Sequence, residues 1–435
     1  MTLLIRYCAF ITLFLFSALA SAGKKSDTTL IPEDVYVGIS NEVFPRLSQR
    51  GEYDVGVRTI NVVNPQQLDV SSQKNSDRKL VLEVWYPASN VKNKHRASYE
   101  NVTRTHKPFS ILGQAYRDAE AAKNKKFPLV ILSHGYTGYR SLMFYLGEHL
   151  ASHGYVVASI DHTDSRNIDV DMIKAPFSGF LSTLYNRSRD QYFVMDYFSK
   201  NNHDLTKITD AKLSAIIGYS MGGYGAINSI GGCFDFSLPV IARLSGVQDS
   251  AQQQQMRQLL NSCAGGQYDN VKVDARLKAA ILIAPWGGEL SIFSKDALSK
   301  VRVPSLFISG DQDDIAGHKS IQSIFEGLGS ESRYLLTYNN ARHNIAGHPA
   351  PKVAREKELD LGHYWEPSWN TEQLNAVNKH FALAMMNCHV KKISSSCKFL
   401  KLPQNATQQK VDGKLTPAWE GFPDRFATGM QWFSR

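Results

Sequence analysis

The chain has 435 residues, 43% of them hydrophobic and 20% charged, which is ordinary for a globular protein and excludes a disordered or fibrous one. Its net charge of +9 comes from scattered Lys and Arg with no long basic cluster and no nucleic-acid motif. Nucleic acid is therefore excluded as a partner; the basic surface reads as solvated and permits peripheral contact with an anionic membrane.

The first 22 residues, MTLLIRYCAFITLFLFSALASA, read as an export signal, the alternative being an uncleaved anchor. Arg6 is its basic start, residues 7–19 are an apolar run short for a membrane span, and Ala20-Ser21-Ala22 is a small-residue cleavage site. The remainder, residues 23–435, is expected as one domain in a secreted or periplasmic setting, with a core over about 54–390. Cys8 leaves with the signal, and four cysteines remain in an oxidising compartment. Four cysteines allow 3 pairings, and sequence proximity favours Cys233–Cys263 and Cys388–Cys397. No C-x-x-C occurs, so no metal site is expected.

VGVRTINVV and KLVLEVWYPA read as strands separated by a polar linker at 64–78, and residues 88–126 as a long polar connection. FPLVILSHG is an apolar strand, RSLMFYLGEHLASHG an amphipathic helix, and YVVASID the next strand. Strands SAIIGYS, LKAAILIAP, VPSLFISG and SRYLLTY follow, with a last helix at TEQLNAVNKHFALAMMN. Strands alternating with helices imply a mainly parallel sheet covered on both faces, with chemistry in the loops after the strands. Residues 162–190 and an insertion at 231–276, which includes the helix-like AQQQQMRQLLN, exceed simple connections and suit lids or binding elements. The tail at 388–435 is irregular and aromatic, and packs over either the core or the pocket.

Within SAIIGYSMGGYGAI, Ser220 sits between Gly218 and Gly222 where a strand turns directly into a helix. A bend that sharp forces strained backbone on the apical residue and tolerates no bulk beside it, so the hydroxyl projects toward a pocket. A serine nucleophile needs a base, and the base an orienting acid. Two later strand-end loops supply them in the order serine, acid, histidine: DQDD and NNARHNIAGH. Asp313 is the chosen acid, with Asp311 and Asp314 read as loop hydrogen bonding or capping; His343 is chosen over His348. The backbone amides of Met221 and of Tyr136, in SHGYTG, are the candidate oxyanion donors. His134, beside that loop and ahead of the serine in sequence, reads as loop support.

LSHGYTGYRSLMFYLGEHLASHGYVVASIDHTDSRN and EVWYPA resemble platelet-activating-factor acetylhydrolases and dienelactone-hydrolase-like α/β-hydrolases. SHGYT, GYSMGG, IAPW and DQDDIA are also similar to motifs of cutinase-like bacterial polyesterases. The resemblance spans about residues 80–385. It implies an α/β-hydrolase fold and a serine esterase with no cofactor. It assigns Ser220, Asp313 and His343 as triad and Tyr136 and Met221 as oxyanion donors. Trp286 is then an acyl-pocket aromatic, core packing being the alternative, and Tyr219, where polyesterases carry Trp or His, a second pocket residue. The implied substrate is a small-molecule or lipid ester with a short acyl group of two to four carbons, such as an acetylated or oxidised phospholipid. The insertion is expected to cover the alcohol side. Polyester, lipid or thioester hydrolysis is the alternative chemistry, and a non-catalytic binding protein the alternative class.

Overall fold

A computed structural model describes residues 30–36, 38–200, 203–266 and 272–435. The chain divides into two units, Met1–Ile31 and Pro32–Arg435. Of the first only Leu30 and Ile31 are described, so the expected export signal lies outside the described residues.

The second unit opens with an antiparallel hairpin of β1 (Asp54–Asp69) and β2 (Lys74–Ser89), followed by β3 (Arg96–Val102), β4 (Pro108–Arg117) and β5 (Glu120–Ala121). Strands and helices then alternate: β6 (Phe127–Ser133), α1 (Phe144–Ser152), β7 (Val156–Asp161), α2 (Phe180–Lys200), α3 (Asp204–Lys207), β8 (Thr209–Tyr219), α4 (Met221–Ser229). The insertion contributes α5 (Leu238–Ser245) and α6 (Ser250–Leu260). Next come β9 (Leu277–Ile283), α7 (Lys295–Lys300), β10 (Ser305–Gly310), α8 (His318–Gly327), β11 (Arg333–Tyr338), α9 (Glu358–Leu361) and α10 (Thr371–Met385). The tail adds the small pair β12 (Lys410–Val411) and β13 (Lys414–Leu415), then β14 (Met430–Ser434).

Twelve strands form one sheet in the order β14-β11-β10-β9-β8-β6-β7-β2-β1-β4-β3, with β5 beside β2. The six strands from β11 to β7 are mutually parallel and antiparallel neighbours flank them on both sides. This is an α/β-hydrolase fold. Side chains alternate across it: Ala215, Ile217 and Tyr219 of β8 enter a core shared with α1, α10 and the tail, while Ile216 enters one shared with α2, α4, α6 and α8.

Four expectations from the sequence are corrected. Residues 64–78 are not a linker: β1 and β2 continue through them with a bulge between Asn64 and Gln67, since backbone pairing needs no apolar side chains. Residues 88–126 hold β3 and β4, whose inward Ala97, Tyr99, Phe109 and Ile111 are buried between the Lys-rich turns. Residues 162–190 are not loop throughout, since α2 starts at Phe180. Helix α1 is buried on every residue rather than amphipathic, because the Tyr36 and Tyr99 rings pack on its Phe144 while α10 packs along it. The tail covers the core: Trp432 stacks on Phe381 of α10 at 4.8 Å, Trp419 lies 5.9 Å from the same ring, and β14 pairs with β11. Both disulfides, Cys233–Cys263 and Cys388–Cys397, are present.

Candidate active site

Ser220 has φ 51° and ψ −114°, a region costly for a residue with a Cβ. The turn from β8 into α4 holds it there. A Cβ on Gly218 would lie 2.3 Å from the Gly222 carbonyl oxygen, and one on Gly222 would lie 1.9 Å from that of Ser133, so both neighbours must be glycine. The Trp286 N–H donates to the Ser220 carbonyl at 3.2 Å, tying the loop after β9 to the turn.

Ser220 Oγ lies 3.0 Å from His343 Nε2, and His343 Nδ1 lies 3.0 Å from both carboxylate oxygens of Asp313. The three residues come from loops after β8, β10 and β11 and are 7–8% exposed. Burial alone would raise the Asp313 carboxyl pKa, but the His343 bond and charge and the N–H groups of Ala316 and Ile315, at 2.8 and 3.0 Å, hold it below the usual value. Asp313 therefore stays ionised beside the imidazole. The competing acids are engaged elsewhere: Asp311 accepts the Asn340 N–H at 2.6 Å, and Asp314 pairs with Arg342. His348 is buried against the Tyr139 hydroxyl at 2.6 Å.

A Cβ on Gly135 would stand 3.1 Å from the Ser220 Cβ, so the loop after β6 touches the serine. His134 fixes the next peptide. Its Nε2 accepts the His162 N–H at 3.1 Å, which leaves the ring proton on Nδ1 to be donated to the Gly135 carbonyl at 2.6 Å. Gly138 N–H donates to the same oxygen at 3.1 Å. The peptide is trans, so the Tyr136 N–H points opposite to that clamped carbonyl. The Met221 N–H is one of the unpaired donors at the start of α4. Neither amide donates to a backbone acceptor among the described residues.

Beside Ser220 opens an apolar cleft of about 580 Å³. Tyr136, Met221 and Trp286 line it, and Phe180 sits between Tyr136 and Trp286 with ring centroids 5.4 and 5.5 Å away. Tyr219 does not line it. Strand alternation turns its ring to the opposite face of the sheet, 5.3 Å from the His343 ring, where its hydroxyl donates to the His343 carbonyl at 3.3 Å. Sequence reasoning missed Phe177, Phe180 and Ile315 at the cleft and the apolar side of the insertion, Ile241, Leu244, Met256 and Leu260. The insertion did carry a signal, in apolar pairs three and four residues apart on two short helices. Among the described residues no cluster of His, Cys, Asp and Glu suits a metal ion, and no helix is long and apolar enough to cross a membrane.

Residues 50–178 match the family model for platelet-activating factor acetylhydrolase, isoform II, and residues 238–364 the model for PET hydrolase-like proteins. The chain is 28% identical over 224 residues to cutinase est1 of Thermobifida alba, covering 51% of this chain and 55% of that protein. It is 26% identical over 219 residues to the bis(hydroxyethyl) terephthalate hydrolase of Streptomyces coelicolor, covering 50% of each. A 40-residue stretch is 48% identical to platelet-activating factor acetylhydrolase of Cavia porcellus, 9% of each chain. The chain thus spans about half the length of the curated cutinase and hydrolase relatives it matches. A ferulic acid esterase from Streptomyces cinnamoneus shares the fold at a TM-score of 0.55 and 17% identity, over 83% of this chain and 94% of that one. The chain thus has the α/β-hydrolase fold, with sequence similarity to cutinases and, in its N-terminal part, to platelet-activating factor acetylhydrolases.

Proposed function

We propose that the protein is an extracytosolic carboxylic-ester hydrolase that works through an acyl-enzyme on Ser220. The observation that carries this is the unbroken chain from Ser220 Oγ through His343 to ionised Asp313, set on a strained turn. In the proposed reaction His343 Nε2 takes the hydroxyl proton as Ser220 attacks the ester carbonyl, and Asp313 stabilises the imidazolium. Negative charge on the former carbonyl oxygen meets the N–H groups of Tyr136 and Met221, which need no reorganisation. His343 then gives its proton to the departing alcohol, and a water activated by the same imidazole releases the acid. No cofactor enters these steps. The two disulfides support an oxidising location.

Two parts of the chain favour different substrates. Likeness to acetylhydrolases over residues 50–178 supports a short-acyl ester such as an oxidised phospholipid. Likeness to cutinases and PET hydrolase-like proteins, together with the 580 Å³ apolar cleft, supports a larger group. The cleft is the stronger observation, because its volume suits a drug-sized ligand and two to four carbons leave most of it empty. The test is Ser220→Ala in a p-nitrophenyl ester assay, with labelling by a fluorophosphonate probe. Turnover falls by on the order of a million-fold and labelling disappears; a folded variant with near-normal activity removes the assignment.

A further inference from the structure

We propose that the insertion α5–α6 is the specificity-determining wall for the acyl group, held in place by Cys233–Cys263, and that it selects acyl groups much larger than acetyl. This rests on the ester-hydrolase reading above. Both ends of the insertion are pinned near the end of α4, the helix that follows directly on Ser220. Cys233 is bonded to Cys263, and Phe234 N–H donates to the Ser262 carbonyl at 2.9 Å. Asn228 of α4 donates to that same carbonyl at 2.8 Å and accepts the Gly265 N–H at 2.9 Å. Between the ends, Asn261 Oδ1 accepts the Phe236 N–H at 2.8 Å, and Arg257 Nε donates to the Phe236 carbonyl at 2.9 Å. The element is a fixed wall, and Ile241, Leu244, Met256 and Leu260 face the cleft from it.

The side of the ester it meets follows from where the proton is delivered. The leaving alcohol must be protonated by His343 and so lies toward that imidazole. His343 packs on Tyr219, which belongs to the core on one face of the sheet, whereas the cleft opens from Met221 and Trp286, which belong to the core on the other. An acyl group on Ser220 therefore points away from His343, into the cleft and along the α5–α6 wall. The wall belongs to the acyl side, not to the alcohol side expected from the sequence. Each methylene buried there raises kcat/KM by about fourfold, so p-nitrophenyl octanoate, about six methylenes longer, exceeds the acetate by on the order of a thousandfold.

The test measures the octanoate-to-acetate ratio of kcat/KM for the full chain and for Leu244→Ala/Met256→Ala, both partly exposed positions, with Met256→Ala alone as the milder variant. Fluorophosphonate labelling is followed in parallel. The double substitution lowers the ratio by about tenfold or more, and labelling persists. Cys233→Ala/Cys263→Ala lowers the ratio in the same direction, whereas Cys388→Ala/Cys397→Ala, remote in sequence from the insertion, leaves it unchanged. A wild-type preference for acetate, or a ratio unmoved in folded, labelled wall variants, overturns the proposal while the serine assignment stands. A wild-type protein that is neither labelled nor active on either ester removes the ester-hydrolase reading and this inference with it.

Discussion

Replacing Asp313 by Asn tests the acid without changing its size. The Oδ1 position of Asp313 already accepts the N–H groups of Ile315 and Ala316, at 3.0 and 2.8 Å, so the amide oxygen of Asn takes that place. Its NH₂ then occupies the Oδ2 position, 3.0 Å from His343 Nδ1, and donates to it. The imidazole proton is driven to Nε2, which faces Ser220 Oγ at 3.0 Å and can no longer accept from it. The charge that stabilised the imidazolium is lost as well. Together these lower kcat by about ten-thousand-fold, or about 5.5 kcal/mol at 1.36 kcal/mol per decade. Steady-state hydrolysis of a p-nitrophenyl ester measures it, with the melting temperature as the fold control. A folded Asp313→Asn enzyme within tenfold of wild type refutes the reasoning, above all if Asp311→Asn or Asp314→Asn collapses instead.

Gly222→Ala would set a Cβ 1.9 Å from the Ser133 carbonyl oxygen, so the turn must shift; turnover falls by on the order of a hundredfold and the melting temperature drops, whereas an active variant means the turn is looser than drawn. Burial holds a set of histidines neutral, with pKa lowered to about 3 for His162 and His380, to about 4 for His348 and His389, and well below the ordinary value for His134, His149 and His363. The unfolded chain protonates them near pH 6.5 and the folded chain does not. Stability is therefore complete above about pH 6.5 and is lost as pH falls toward the folded values, by up to about 1.4 kcal/mol per unit per histidine; urea melts at pH 7.5, 5.5 and 4.5 measure this, and a flat profile down to pH 4.5 contradicts it. Removing Cys388–Cys397, whose partners are 9 residues apart, costs roughly 2–3 kcal/mol of stability, read as a lower urea midpoint, and an unchanged midpoint shows that the tail is held by its aromatic packing instead.

By itself the sequence determined those features whose cause is local. Buried parallel strands write long apolar runs, so β6, β7, β8, β9 and β10 were legible. A strand-to-helix turn needs glycines at fixed offsets, which exposed Ser220, and the loops after β10 and β11 then offered Asp313 and His343 in the required order. Cysteines close in sequence gave both disulfides. Tertiary structure decided what depends on which face or which neighbour a residue meets. β3 and β4 were masked by the charged runs around them, and their inward residues declare themselves only against the sheet. Tyr219 and Met221 flank the serine, yet Tyr219 ends β8 on the face that meets His343, while the sharp turn at Ser220 swings Met221, the first residue of α4, to the cleft. Which of Asp311, Asp313 and Asp314 meets the imidazole thirty residues away is a matter of tertiary distance, which no local pattern encodes. The cleft itself joins α2, α5, α6 and the loop after β9, and its size is a property of their packing, because volume between elements is written in no single segment.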